Sequence, residues 1–304
     1  MELALKTLNL TKKFAGQLAV SDVNINIGKG DVYGFIGKNG AGKTTFIKMI
    51  SGIAMPTSGE IQLFDSTNLN VERKKIGCVI ENPALYPYFN ARQNLEIQCK
   101  LLGIKDSSKV IDEILKIVGL DNTGKKKAKN FSLGMKQRLA IAIALIGDPE
   151  FLLLDEPING LDPTGIKEVR DLIIKLNREH NKTVLISSHL LGELSKVATK
   201  YGIISNGKLI KEFSIEELSD IVKECISIKV SNVEAACNIL KTELNTENYD
   251  VSNNGTINLY DYLDDSTVVT NAFLKSGLLI DSIIKKEPDF EDYFINLMEG
   301  KVND

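Results

Sequence analysis

Two short stretches carry most of the chemistry this sequence can do. The first, GKNGAGKTT at 37–45, has the spacing G-x-x-x-x-G-K-[ST]. Gly37, Gly40 and Gly42 let a backbone wrap closely round an anion, with successive N–H groups turned inward. Asn39, Gly40, Ala41, Gly42, Lys43, Thr44 and Thr45 form the expected cradle. Lys43 would bridge two phosphates of a nucleoside triphosphate, and the Thr44 hydroxyl would bind Mg2+. The second stretch, FLLLDEP at 151–157, ends an apolar run on two acids. Asp155 would hold the same Mg2+ through its water shell. Glu156, one residue on, is placed to polarise an attacking water as general base.

These groups need rigid elements to deliver them. The buried run VYGFIG enters the glycine loop and the helical run KTTFIKMISGI leaves it, so a helix N-terminus aims its partial positive charge at the same anion. FLLLD reads as a buried strand presenting its acids at the C-terminal edge, where α/β sheets bind ligands. Residues 2 to about 36 alternate apolar and polar residues over short runs, which predicts antiparallel strands. Helical periods run over 95–118 and 131–147, a helix is predicted near 163–180, TVLISS is a strand, and a further helix starts near 190. Strands alternating with helices predict a parallel α/β core. A strand pair then turns on Asn206-Gly207, and a short helical joint follows. Beyond it the pattern restarts as CISIKV, VEAACNILKTEL, a hairpin at Asn254-Gly255, DSTVVTNAFLKSGL and LIDSIIKK. That β-α-β-β-α-β order matches a ferredoxin-like unit. A last amphipathic helix, FEDYFINLMEG, is predicted to close the chain.

Composition narrows the class. The 304 residues are 43% hydrophobic and 25% charged, as expected of a globular protein with a proper core. The longest apolar run, LAIAIALIG, is far short of a membrane span. No secretion signal is read at the N-terminus. Cys78, Cys99, Cys225 and Cys237 form no CxxC pair and read as reduced thiols, and two histidines argue against a histidine-built metal site. Charge is uneven: from Ile215 onward 18 acids oppose 7 bases, while the rest carries 22 acids and 30 bases. Two compositional units follow, with no long basic run to suggest nucleic acid.

The segment FSLGMKQRLAIAIAL at 131–145, taken with the phosphate loop, NGLDP at 159–163 and ISSH at 186–189, resembles the ATP-binding cassette of ABC transporters over roughly residues 3–215. The resemblance implies an ABC-type P-loop ATPase: an α/β, RecA-like core with an antiparallel β subdomain and a helical subdomain at about 82–147. It places the cassette at 1–221 and leaves 222–304 as a small accessory α+β domain. It implies ATP and Mg2+ as cofactors. Ser132 and Gly134 match the signature that touches nucleotide bound to a second copy. Leu133 and Met135 depart from the commonest form, and the variant SLGMKQR is similar to that of bacitracin- and daunorubicin-type exporters. By the same resemblance Phe14 stacks on adenine, Val20 contacts nucleotide, His189 contacts the γ-phosphate and Asp162 communicates between the two sites. The residues themselves leave Phe14 open as a core ring of the antiparallel sheet.

The stretch GCVIENPALYPYF resembles the cassette's Q-loop, with Glu81 where glutamine is usual. A carboxylate keeps the oxygen that a hard cation prefers, and adds negative charge beside Asp155 and Glu156. Glutamate here resembles the lantibiotic-immunity branch. Glu81 is therefore a candidate Mg2+ ligand with Thr44 and Asp155, against the plain alternative of a solvated turn acid. Leu85, Tyr86, Tyr88 and Phe89 would either receive a permease helix or pin the loop to its own domain. The resemblance implies an ATPase dimer on the cytoplasmic face of the membrane, held there by an integral-membrane permease that moves an antimicrobial peptide or drug outward. Import, a soluble ABC ATPase without a transport role, and a P-loop kinase are the rival classes.

Overall fold

The computed structural model describes residues 2–81, 84–221, 223–252, 254–286, 290, 293–294 and 297. The chain divides into two compact units, Met1–Ile215 and Glu216–Asp304.

The first unit opens with the antiparallel strands β1 (Leu3–Phe14), β2 (Gln17–Val23) and β3 (Asn26–Gly28). Then come β4 (Val32–Ile36), α1 (Lys43–Ser51), β5 (Ser58–Leu63), α2 (Leu69–Glu72) and β6 (Ile76–Val79). Three helices, α3 (Ala91–Leu101), α4 (Ser107–Ile117) and α5 (Leu133–Leu145), separate β6 from β7 (Phe151–Asp155). The unit continues with α6 (Pro163–Arg178), β8 (Thr183–Ser188), α7 (Leu191–Leu194), β9 (Lys200–Ser205) and β10 (Lys208–Ser214). β1 pairs with β2, β3 and β5 in a four-stranded antiparallel sheet. A second sheet runs β10-β9-β4-β8-β7-β6, parallel except for the β9–β10 hairpin.

Burial explains the parallel strands. Every residue of β4, β7 and β8 is buried, which is the continuous apolar run expected of a sheet covered on both faces. One core cluster joins the antiparallel sheet, through Leu5, Val20 and Ile27, to Phe46 and Ile47 of α1 and Leu153 and Leu185 of the parallel sheet. The phosphate-loop helix is thus clamped between the two sheets.

Two helices differ from their sequence reading. The single period over 95–118 is two helices, because the chain turns at Gly103 and Ile104 N–H donates back to Cys99 O at 2.9 Å. The helix expected from 190 is one turn, since Val197 and Ala198 N–H close on Leu194 O and β9 begins at Lys200.

The second unit holds α8 (Ile215–Ile221) at its junction, then β11 (Cys225–Val230), α9 (Val233–Thr242), β12 (Tyr249–Val251), β13 (Ile257–Leu259), α10 (Ser266–Lys275) and β14 (Ile280–Lys286). Its sheet runs β12-β13-β11-β14, antiparallel throughout. Ile226, Ile228, Ile257 and Leu259 pack with Leu240, Val269 and Phe273 of its two helices in a core of its own. The predicted final helix falls mostly on residues outside those described.

One buried polar strut braces the phosphate-loop strand. Tyr33 on β4 donates its hydroxyl to Glu212 on β10 at 2.7 Å, passing over Gly202 of β9. A Cβ at Gly202 would lie 2.1 Å from that hydroxyl. Burial holds the Glu212 carboxyl above its ordinary value of 4.5. A raised acid favours the fold when protonated, so its contribution is full below 4.5 and fades as pH rises through the shifted value. Gly202→Ala should cost about 1–3 kcal/mol by overpacking in urea unfolding, and Glu212→Gln should remove that pH dependence. Wild-type stability in Gly202→Ala would refute the strut.

Candidate functional site

β4 ends at Ile36 and the chain swings through the glycine loop before α1 starts at Lys43. Gly42 caps that helix at φ 110°, and a Cβ there would meet Ala19 O at 2.4 Å. A side chain is excluded twice at this position, by backbone angle and by space. The turn between β9 and β10 supports the loop from behind: Gly207 N–H donates to Ala41 O at 2.9 Å and Ser21 N–H to Gly207 O at 2.8 Å. Ala19, Asn39, Gly40, Ala41, Gly42, Lys43, Thr44, Thr45 and Glu156 line the resulting hollow of about 190 Å3.

The loop's lysine is held within the cradle. Lys43 is only 5% exposed, and its ammonium donates to Gly37 O at 2.6 Å and Lys38 O at 3.3 Å. It also lies 3.0 Å from Glu156 Oε1, an ion pair by distance, although that oxygen accepts no aligned hydrogen bond.

Below the lysine, the hydroxyl of Thr44 donates to Asp155 Oδ2 at 2.7 Å, and Ser187 Oγ donates to Asp155 Oδ1 at 2.6 Å. Ser187 is directly paired with Asp155 across β7 and β8. Its hydroxyl oxygen also accepts from Glu156 N–H at 2.9 Å. Glu156 sits at φ 48°, a left-handed angle rarely held by non-glycine residues. There its carboxylate meets His189 Nδ1 at 2.9 Å. An ionised carboxylate can only accept, so this contact puts the proton on Nδ1 and leaves Nε2 for a ligand.

Thr44, Asp155 and neighbouring hydroxyl oxygen form a hard donor set of the kind Mg2+ takes, with places left for phosphate oxygens and water. Glu81, the third candidate ligand, is paired with a cation. It is at φ 60° and 62% exposed, and its Oε1 is 2.5 Å from Lys48 Nζ on α1. Lys48 lies one helical turn beyond Thr44, so the negative charge that glutamate adds has a cation of its own beside it.

Other sequence-predicted residues fall into place individually. Phe14 ends β1 half exposed, with Lys12 Nζ 4.7 Å above its ring, so it is no core aromatic. Val20 is corrected: it is fully buried in the core, its Cγ2 standing 3.4 Å behind a Cβ at Gly42, while Ala19 faces the hollow. Ser132 is the N-cap of α5, accepting from Met135 N–H at 3.2 Å. Asp162 caps α6 by accepting from Gly165 N–H at 3.2 Å. A Cβ at Gly134 would be 3.2 Å from Gly165 Cα, so the two helix starts abut. Ser132 and Asp162 are brought together with each other, not with the phosphate loop.

In the 84–90 segment the rings do not pin the loop. Tyr86, Tyr88 and Phe89 are 51%, 69% and 40% exposed. Backbone bonds hold it instead, with Tyr86 N–H on Asn94 Oδ1 at 2.8 Å and Ala128 N–H on Phe89 O at 2.8 Å. An apolar hollow of about 240 Å3 beside it is lined by Ile53, Val79, Ile80, Leu85, Ala140 and Ile143. Cys78, an exposed free thiol, lines it too. Ser187 and Lys48 are the residues that sequence reading missed. Ser187's signal is a hydroxyl at the C-terminal end of a buried strand, two residues before His189; Lys48 has none.

Residues 20–159 match the ABC transporter family model. The chain is 41% identical over 303 residues, 99% of each chain, to the bacitracin transport ATP-binding protein BcrA of Bacillus licheniformis. It is 45% identical over 208 residues to the lantibiotic transport ATP-binding protein SrtF of Streptococcus pyogenes, covering 68% of this chain and 90% of that one. Among solved structures it is similar to a dimeric ATP-binding cassette in a post-hydrolysis state bound to ADP and Pi. That match has 28% identity, a TM-score of 0.62, and covers 69% of this chain and 98% of that one. CbiO1 from Clostridium perfringens, part of the transporter complex CbiONQ, aligns at 25% identity and TM-score 0.66, covering 81% and 97%.

Ser187→Ala removes a buried hydroxyl that serves both acids. It should cost about 1–3 kcal/mol of stability and weaken Mg2+-dependent binding of a fluorescent nucleotide. Wild-type values in both measurements would contradict this role.

Proposed function

We infer a transport role from one premise: this chain belongs to the ABC transporter family, as an ATP-binding subunit that hydrolyses ATP. The observation that carries the inference is the convergence of Lys43, Thr44, Asp155, Glu156, Ser187 and His189 through contacts of 2.6–3.0 Å at the mouth of one glycine loop. These are the parts a phosphoryl-transfer site needs, and their positions follow from the strands that deliver them.

In the proposed reaction the loop amides and Lys43 hold the phosphates and offset their charge. Thr44 and Asp155 would hold Mg2+, which would supply further charge neutralisation at the phosphates. Glu156 orients the attacking water and takes its proton, while His189 donates Nδ1–H to that carboxylate and, in its doubly protonated form, donates Nε2–H to the γ-phosphate. Phe14 stacks its exposed ring on the adenine. Ser132 and Gly134 reach nucleotide held by a second copy of the chain, so a competent unit is a dimer. The abutting starts of α5 and α6 give Asp162 a direct mechanical link to that contact.

The partner is an integral-membrane permease that holds the subunit at the cytoplasmic face. The exposed rings of Tyr86, Tyr88 and Phe89, with the apolar hollow beside them, suit a helix laid into a groove. No described helix is long and apolar enough to cross a membrane. The proposed cargo is an antimicrobial peptide or drug moved outward. Full-length similarity to a bacitracin transport protein, spanning both units, supports this reading over other ABC cargoes.

Two outcomes test it. Glu156→Gln should lower ATP hydrolysis by about 100-fold or more, the usual contribution of a general base. With MgATP it should form a stable dimer that copurifies from solubilised membranes with a strongly hydrophobic polypeptide. A soluble dimer with no such companion would point to a non-transport ATPase. Glu81→Gln should retain ATPase activity, whereas Glu81→Ala should retain hydrolysis but abolish peptide resistance in cells. Wild-type resistance in Glu81→Ala would remove Glu81 from coupling.

A further inference from the structure

We propose that residues 125–129 form a membrane-contact patch that binds the headgroups of anionic phospholipids. Lys125, Lys126, Lys127 and Lys129 lie in the stretch GKKKAKN, and all four are exposed. Between Ile114 and Gly147 the sequence has seven bases and a single acid, Asp121. On the helices, Asp112 is paired with Arg92 and Glu168 with Arg138. Among the described residues none of the four lysines makes a salt bridge. Four unneutralised charges within five residues form a compact positive surface.

This loop has a fixed shape. Ala128 is buried and its N–H donates to Phe89 O at 2.8 Å; Lys129 N–H donates to Pro87 O at 2.9 Å. Those bonds stitch the lysines to the exposed rings of Tyr86, Tyr88 and Phe89, and Lys129 Nζ sits 4.8 Å above the Tyr88 ring. Exposed lysines fixed beside a segment that meets a membrane protein fit the bilayer boundary, where ammonium groups meet lipid phosphates. A solvated loop would account for the lysines alone; their attachment to the segment proposed to meet the permease sets them at the edge of that groove. The inference rests on the permease reading only in that a bilayer is then close to this face.

The test uses the purified full chain without permease, so it stands apart from the copurification result. Cosedimentation is measured with vesicles of phosphatidylcholine alone and of phosphatidylcholine mixed with phosphatidylglycerol. Binding should be confined to the mixed vesicles and should fall as salt screens the attraction. Replacing the four lysines together with glutamine should weaken it more than tenfold, since each contributes about fivefold, or about 1 kcal/mol. The corresponding four arginine substitutions should preserve it, and both variants should keep wild-type ATPase activity. Equal binding to both vesicle types, or unaltered binding by the glutamine variant, would overturn the proposal. So would binding to a single-stranded oligonucleotide with no binding to mixed vesicles. If the glutamine variant does not fold, the lipid and salt dependence of the wild-type chain decides the matter.

Discussion

A buried carboxylate organises this molecule. Asp155 is 3% exposed, and an anion so placed is tolerated only where its lone pairs are satisfied. Thr44 and Ser187 do this from opposite sides, one from the helix after β4 and the other from the neighbouring strand β8. The same acid therefore fixes the first turn of α1 against the parallel sheet. It also fixes what sits beside it, because the Ser187 hydroxyl that serves Asp155 accepts the backbone N–H of Glu156. Two successive acids share one serine and point to different tasks.

The strained backbone of Glu156 follows from this arrangement. Continuing β7 in extended geometry would carry the next side chain away from its neighbour's side of the sheet. A left-handed residue there turns the second carboxylate back toward Lys43 and His189. Glu81 repeats the pattern at the end of β6, again left-handed, but exposed and tied to Lys48. The phosphate-loop helix is thereby connected at its Thr44 turn to the core and at its Lys48 turn to the segment leading into the helical subdomain. A change at the triphosphate has a short route, along one helix, to the surface proposed to meet the permease.

Much of this was legible in the sequence where a residue's role depends on its local run. The glycine loop, FLLLDEP and ISSH each announce an element and the group at its end, because a strand of continuous apolar residues can only be buried. Periodicity also revealed the second unit's order of strands and helices, since its faces alternate cleanly. Partners across the fold were not legible. Nothing in the spacing of Lys48 and Glu81, 33 residues apart, foretells their ion pair. Val20 and Ala19 differ by one residue in a strand, and which of them faces the phosphate-loop hollow depends on a register that only the paired sheet sets. The lengths of α3, α4 and α7 were set by turns and by the nearby start of a strand, which a helical period does not record.

The most direct test of the account is to change the cation preference of the Thr44–Asp155 site. Thr44→Cys places a thiol where a hydroxyl oxygen would meet Mg2+. Hydrolysis of ATP by this variant should collapse with Mg2+ and recover, relative to wild type under the same cation, with the thiophilic Cd2+. Recovery would identify this side chain as a metal ligand in the working enzyme. Full activity with Mg2+, or no recovery with Cd2+ from a folded variant, would contradict the central place given to this pair.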